Sequence, residues 1–365
     1  MDKKLLKKLL IIIGGFVGFL ILFIIIISII RGISNKKTSY EKIKSNAVVG
    51  AQKYYDSLKE KLNSGESMEI SFDELIAKKY MDEYASKLDD GVKCSGKVII
   101  SNRFDTIVYT SNMDCGKHYK DETLYDHIIS NNEIVSSGDG IYDLYNRYIY
   151  RGENVNNYVE FDNKTWYIVD IEKNGNIRLF NSKKSLESDS VWDDRYNVTE
   201  DTEVGYNDFE KSRIYDSLKE LEKTTITENG KKYIIPQDIC YGARNKNSTD
   251  NSNSIECSKT LSNHMLSTLT VSDVITASID STCNSIRQSQ CSNYNYLASR
   301  KISSMWTFIA DSDNSYRVYT SYKGKVLYKD TNDYYNLYVT VKLSPEVLYL
   351  SGDGSEENPY KIVEN

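Results

Sequence analysis

Apolar and polar positions recur on different periods along this chain, and each period predicts a different element. From Leu9 to Ile30 there is no alternation at all: LLIIIGGFVGFLILFIIIISII is 22 residues long and Ser28 is its one polar side chain. At about 1.5 Å per residue, a helix of that length matches the roughly 30 Å hydrocarbon core of a bilayer. The pattern predicts a membrane anchor. A cleaved secretory segment has a shorter apolar run and a small-residue exit, which Ser28-Ile29-Ile30-Arg31-Gly32 does not offer. A core helix would carry polar residues on one face. A pilin-type leader with its junction at Gly15-Phe16 would need glutamate five residues in, where Leu20 stands.

Beyond the anchor the period changes to that of an amphipathic helix. Ile43, Ala47, Ala51, Tyr54, Tyr55, Leu58 and Leu62 recur at three-and-four spacing, predicting a helix over Tyr40–Leu62 that stops at Asn63-Ser64-Gly65. Ser71-Phe72-Asp73-Glu74 reads as a capping box opening a second helix. Val92–Ser101 and Phe104–Cys115 read as two strands around a turn at Asn102-Arg103. After Ser136 a period of two takes over. Asn157–Phe161, Thr165–Glu172 and Asn176–Ser182 form an antiparallel meander whose turns, Asp162-Asn163-Lys164 and Lys173-Asn174-Gly175, carry the Asn and Gly that tight hairpins demand. A helix capped by Asn207 or Asp208 follows, with Phe209, Ile214, Leu218 and Leu221 along one side. Ile239–Asn263 is a long irregular loop, and short strands return from Met305 onward. The predicted organisation is α+β: tail and transmembrane helix at 1–31, linker at 32–39, a membrane-proximal helix-plus-hairpin domain at 40–135, and a loop-rich antiparallel domain at 136–365.

Charge adds a direction. Residues 1–44 hold nine Lys/Arg and two Asp/Glu, so taking that +7 from the whole-chain −6 leaves −13 for the remainder. An acidic bulk argues against nucleic acid as a partner. The short basic tail before the anchor and the cysteines behind it predict a cytoplasmic N-terminus and extracellular C-terminal domains in a single-pass cell-membrane protein, with the lipid bilayer as its first partner. All six cysteines lie behind the anchor. Pairing neighbours gives Cys94 with Cys115, Cys240 with Cys257 and Cys283 with Cys291, each closing a short loop outside the reducing cytosol.

Candidate chemistry is sparse. There is no G-x-S-x-G, no HExxH and no glycine-rich phosphate loop, and His118, His127 and His264 stand apart, so no catalytic residue is assigned and an enzyme is not expected. Trp192, Asp193, Asp194 and Arg195 combine an aromatic plane with hydrogen-bonding groups, the make-up of a ligand-binding, sugar-type surface; a buried tryptophan beside capping aspartates explains the same letters. Asp311, Asp313 and Asn314 place oxygens at a turn where calcium is a possible cofactor, and a solvated turn between strands is the competing reading.

The succession NYVEFDNKTWYIVDIEKNGNIRLF, VWDDRYN, GYNDFEKSRIYDSL, YLASRKISSMWTFIA and SGDGSEENPYKI resembles a group of uncharacterised single-pass extracytoplasmic surface proteins of low-GC Gram-positive bacteria. The resemblance implies a distal domain of C-type-lectin-like fold, related to the formylglycine-generating enzymes, with Trp166, Ile168 and Trp306 in its core and Gly352, Asp353, Gly354, Asn358, Pro359 and Tyr360 in its closing turn. It implies a surface binding or adhesion protein that presents this domain to a glycan, a peptide or an envelope protein. The alternative is a structural or assembly component of an envelope or pilus-like machine with no soluble ligand.

Overall fold

The computed structural model describes residues 39–186, 188–197, 200–201, 205–283 and 294–364. The predicted anchor Leu9–Ile30, most of the linker and Cys291 lie outside them. The described residues divide into two compact units: those of 39–61, Ser67–Ile100 and Tyr109–Asp121 form the first, and those of Leu62–Glu66, Ser101–Val108 and 122–364 the second.

In the first unit the helical residues 39–57 form α1, which buries Ile43, Ala47, Ala51 and Tyr55 as their spacing predicts. The helix stops five residues before Leu62. Lys61 explains the stop, since its Nζ donates to the carbonyls of Tyr55 (2.6 Å) and Asp56 (3.2 Å) and so satisfies the last turn. Three strands, β1 (Ser67–Ser71), β2 (Ser95–Arg103) and β3 (Thr106–Asp114), form a sheet in that order. The capping box is present: Ser71 and Glu74 bond reciprocally at the start of α2 (Phe72–Ala77). The β2–β3 turn, within the Ser101–Val108 stretch grouped with the second unit, falls on Phe104 and Asp105, both at positive φ, two residues beyond the predicted Asn102-Arg103. Cys94 is bonded to Cys115.

The second unit is organised on a nine-stranded sheet. Its strands are β4 (Gly140–Leu144), β5 (Arg147–Arg151), β6 (Tyr158–Phe161), β7 (Lys164–Glu172), β8 (Ile177–Asn181), β12 (Ile234–Ile235), β19 (Thr340–Leu343), β20 (Tyr349–Ser351) and β21 (Tyr360–Ile362). The order is β12-β19-β8-β7-β6-β21-β20, with β5 pairing β7 and β4 pairing β5 beside that path. Strand β7 is the spine. One edge runs along β8, while the other meets β6 in its first half and β5 in its second. The β6–β7 turn is tight because Asp162 and Asn163 both adopt positive φ, a conformation Asn and Asp tolerate.

Smaller pairings surround this sheet: β9 (Ser190–Val191) with β18 (Tyr334–Tyr335), β10 (Arg195–Asn197) with β11 (Glu200–Asp201), and β13 (Gln237–Cys240) with β14 (Thr260–His264). A three-stranded sheet joins β15 (Met305–Ala310), β16 (Arg317–Tyr322) and β17 (Lys325–Asp330). Among the described residues the unit also holds the helices α3 (Leu124–Asn131), α4 (Arg213–Thr224), α5 (Val271–Thr276) and α6 (Tyr296–Ser299). Trp166, Ile168 and Trp306 are fully buried. The predicted helix cap at Asn207 or Asp208 moves to Ser212, whose hydroxyl accepts from the Tyr215 amide, while Phe209–Lys211 form only a 3-10 turn. The Ile239–Asn263 stretch is framed by β13 and β14 and closed by the Cys240–Cys257 disulfide. Cys283 is disulfide-bonded as well; its expected partner Cys291 is outside the described residues.

The expected fold class needs correction. The described chain is a mixed α/β structure of sheets with few helices. Among the described residues no helix is long and apolar enough to cross a membrane, so the expected transmembrane helix has no support there. Nor is the distal sheet purely antiparallel, as its alternation predicted, because β21 runs parallel to β6, with Tyr360 opposite Val159. The closing turn makes that possible by reversing β20 into β21. Gly352 sits there at φ 98°, where an added Cβ would lie 1.9 Å from the Pro359 carbonyl oxygen. No local turn signal links strands so far apart in sequence, and the alternation pattern does not distinguish parallel from antiparallel partners.

Candidate binding groove

Charged residues inside otherwise apolar strands produce the most distinctive surface of the second unit. Asp170 interrupts the run Trp166–Ile171 of β7, and Arg178 interrupts β8. Pairing sets them in a row: Ile149 opposite Asp170, Asp170 opposite Arg178, and Arg178 opposite Lys342 of β19, with Arg147 opposite Glu172 one step along. The charged residues of the row line a groove of about 300 Å³, together with Pro236–Asp238, the Cys240–Cys257 disulfide, Asn253, Ser267, Thr268 and Thr270.

Arg178 is the clamp. Its Nη1 and Nη2 donate to both oxygens of Asp273 (2.8 and 2.6 Å), and Nε donates to Asp170 Oδ2 (2.9 Å), which also accepts from Nη2. Asp273 is held from its other side by α5, where Thr270 and Asp273 form a capping box, and by Asn253 Nδ2 (3.1 Å). Burial by itself would raise the Asp273 pKa, but the Arg178 guanidinium outweighs it and holds the carboxyl well below the usual range. Burial likewise opposes the Arg178 charge, and its two carboxylates overcome that and raise its pKa. At Glu172 burial is outweighed by Lys342, whose Nζ donates to Oε1 at 2.7 Å, so the acid is lowered.

Not every group in the groove is engaged. Arg147 uses only Nη1, 3.2 Å from Asp170 Oδ2 and 3.9 Å from Asp273 Oδ1, leaving Nε and Nη2 without partners among the described residues. Asp170 accepts all its bonds on Oδ2, so Oδ1 is open although the residue is 3 % exposed. Lys342 has one partner, and the exposed Asp238 carboxylate has none among the described residues. The lining contains no aromatic ring.

None of the ligand- or metal-binding candidates singled out from sequence lines this groove, although the predicted disulfide Cys240–Cys257 does. Trp192 is fully buried; its Nε1 donates to the Thr307 carbonyl (3.1 Å), leaving no face for a ligand. Asp193 is buried and its Oδ1 accepts from the amide (3.1 Å) and Nε (2.9 Å) of Arg195, while Asp194 pairs with Arg213 at 2.5 Å. At the calcium candidate, Asp311 Oδ1 accepts from the Asp313 amide, Asp313 Oδ1 from Asn245, and Asn314 Oδ1 from the Tyr316 amide. Two of these are bonds within a turn, and the third ties it to Asn245. Among the described residues no group of three or more His, Cys, Asp or Glu side chains is placed to hold a metal. His127 meets Glu122 at 3.0 Å and stacks on Tyr349, and His264 meets Glu222 at 3.1 Å.

Sequence reasoning missed Arg147, Asp170, Arg178, Asp238 and Lys342. The available signal was an acid and a guanidinium inside two strands made otherwise of Trp, Tyr, Ile, Val, Leu and Phe, since buried charges demand partners. No family model matches the chain, and neither a curated protein nor a solved structure matches it.

Proposed function

We propose that this chain is an extracytoplasmic binding protein whose second unit offers the groove between β7, β8, β19 and the Cys240–Cys257 loop to a glycan, peptide or envelope partner. One observation carries the reading: a rigid charged clamp whose rim keeps hydrogen-bonding groups of both signs without partners. Rigid, partly engaged polar groups in a concave site fix a ligand's orientation at small entropic cost. Disulfides support the location, because they persist in oxidising surroundings. The proposal is binding rather than turnover.

Blocking the groove tests it. Asp238→Trp places a bulky ring at an exposed lining position, where folding tolerates it. Glycan arrays, peptide libraries and cell-surface crosslinking with the unaltered chain are expected to yield a saturable partner that the variant loses. Equal capture by both proteins overturns the reading. Recovery of nothing but copies of the chain favours the assembly role instead.

A further inference from the structure

The groove's unengaged groups also specify a kind of ligand, an inference that rests on the binding reading above. Its lining charges balance: Arg147, Arg178 and Lys342 against Asp170, Glu172 and Asp238. Asp273 behind Arg178 adds one further carboxylate, so a strongly anionic ligand is repelled while a strongly cationic one still meets three positive groups. The open groups fall into two sets. Arg147 Nε and Nη2 and the remaining Lys342 hydrogens are cationic donors, and Asp170 Oδ1 and the Asp238 carboxylate are anionic acceptors. An aromatic platform of the kind on which sugar rings stack is missing from the lining. Meanwhile Arg178, fully engaged between Asp170 and Asp273, holds the acceptor side in place.

We propose that the groove binds a small zwitterion of the amino-acid type, its carboxylate received by Arg147 and Lys342 and its ammonium by Asp170 Oδ1 and Asp238. A volume of about 300 Å³ suits a free amino acid or a dipeptide and stands at the lower end of the roughly 300–1,000 Å³ range of ligand pockets. Both ends of the ligand are read, so a long peptide presents only half of what the site recognises.

The test is calorimetric titration of the full chain with the twenty free amino acids and a set of dipeptides, followed by N-acetylated and C-amidated forms of whichever binds. At least one free compound is expected to bind saturably, and blocking either end is expected to weaken it about tenfold or more, the effect of losing one charge-assisted hydrogen bond. Asp238→Asn is expected to weaken the same ligand several-fold with the thermal midpoint unmoved, and Lys342→Gln, which also leaves Glu172 without its counter-charge, to weaken it several-fold with a lowered midpoint; Arg147→Gln, which also loosens Asp170, is expected to weaken it more. Retention of affinity after blocking one end assigns the site to a peptide terminus and overturns the zwitterion. Binding unmoved by all three substitutions places the compound elsewhere and overturns it too. If no panel member binds while Asp238→Trp still abolishes capture of some other partner, the ligand class fails and the groove survives as a binding site; if Asp238→Trp changes no capture, both fail.

Discussion

Two arginines of the second unit hold carboxylates in opposite ways. Arg244 and Glu256 form an ion pair at 2.5 Å in which both side chains are fully buried. Arg244 also donates to Ser272 Oγ, the Ser248 carbonyl and Asn251 Oδ1, so it gathers the Tyr241–Lys259 loop around one guanidinium. Arg178 sits between two carboxylates just as tightly, yet its neighbours open onto a groove and retain groups without partners. The chemistry is the same and the access to water differs. A sealed pair fixes a loop; an open one, with its centre held rigid, leaves its margin available for recognition. Sealed ion pairs are also the more dangerous to break, because the surviving charge has nowhere to go.

The largest expected effect follows from that asymmetry. Arg244→Met leaves Glu256 buried without its counter-charge and should lower the unfolding free energy by about 3 to 5 kcal/mol, measured by urea denaturation at neutral pH. Arg244→Met with Glu256→Met should recover a large part of the loss. A single substitution that shifts stability by less than about 1 kcal/mol would mean the pair is not sealed. Next comes the disulfide that closes the same loop. Replacing Cys240 and Cys257 by serine releases a closure spanning 17 residues and is expected to cost about 3 kcal/mol on the chain-entropy scale. Both cysteines also line the groove, so ligand affinity should fall as well. Stability lost with affinity unchanged would separate loop from site.

The open clamp should respond more mildly and with a pH signature. Asp273→Asn leaves Arg178 with Asp170, so the loss at neutral pH should be about 2 kcal/mol, in the range for charged hydrogen bonds. Because the folded Asp273 carboxyl is held below the unfolded value of about 3.9, its stabilisation is complete above that pH and drains away as the pH falls toward the folded value. The asparagine variant should therefore lose less stability than the parent as the pH falls below about 4. Parallel curves for the two proteins would place the acid dependence elsewhere.

How much of this was legible follows from the range over which each signal acts. Local signals succeeded: the buried stripe Ile43, Ala47, Ala51 and Tyr55, the Ser71–Glu74 box, the turn at Asp162-Asn163, and two cysteine pairs all rest on residues close in sequence. Long-range partnerships were invisible. Nothing near Arg178 announces Asp273, which lies 95 residues away, and nothing near Tyr360 announces a parallel neighbour at Val159. Trp192 shows the converse: its letters suit a contact surface or a core tryptophan, and it is fully buried with Nε1 bonded to the Thr307 carbonyl. Exposure depends on the folded whole, whereas composition describes only the segment.

The smallest expected effect lies at the rim of the sealed loop and tests whether that loop is as ordered there as at its centre. Asp250 accepts from the hydroxyls of Ser254 and Ser252 and from the Ser252 amide, and these bonds, the Ser254 hydroxyl first, lower its pKa to about 2. The side chain is exposed, so solvent screens the interaction and little stability depends on it. What survives screening is the titration itself. Carbon-detected NMR of the Asp250 carboxyl should give a midpoint near 2 in the intact chain, moving toward the ordinary value of about 3.9 in Arg244→Met. A midpoint already near the ordinary value in the parent would show that the hub orders only the buried part of its loop and that the sealed arrangement ends at Asn251.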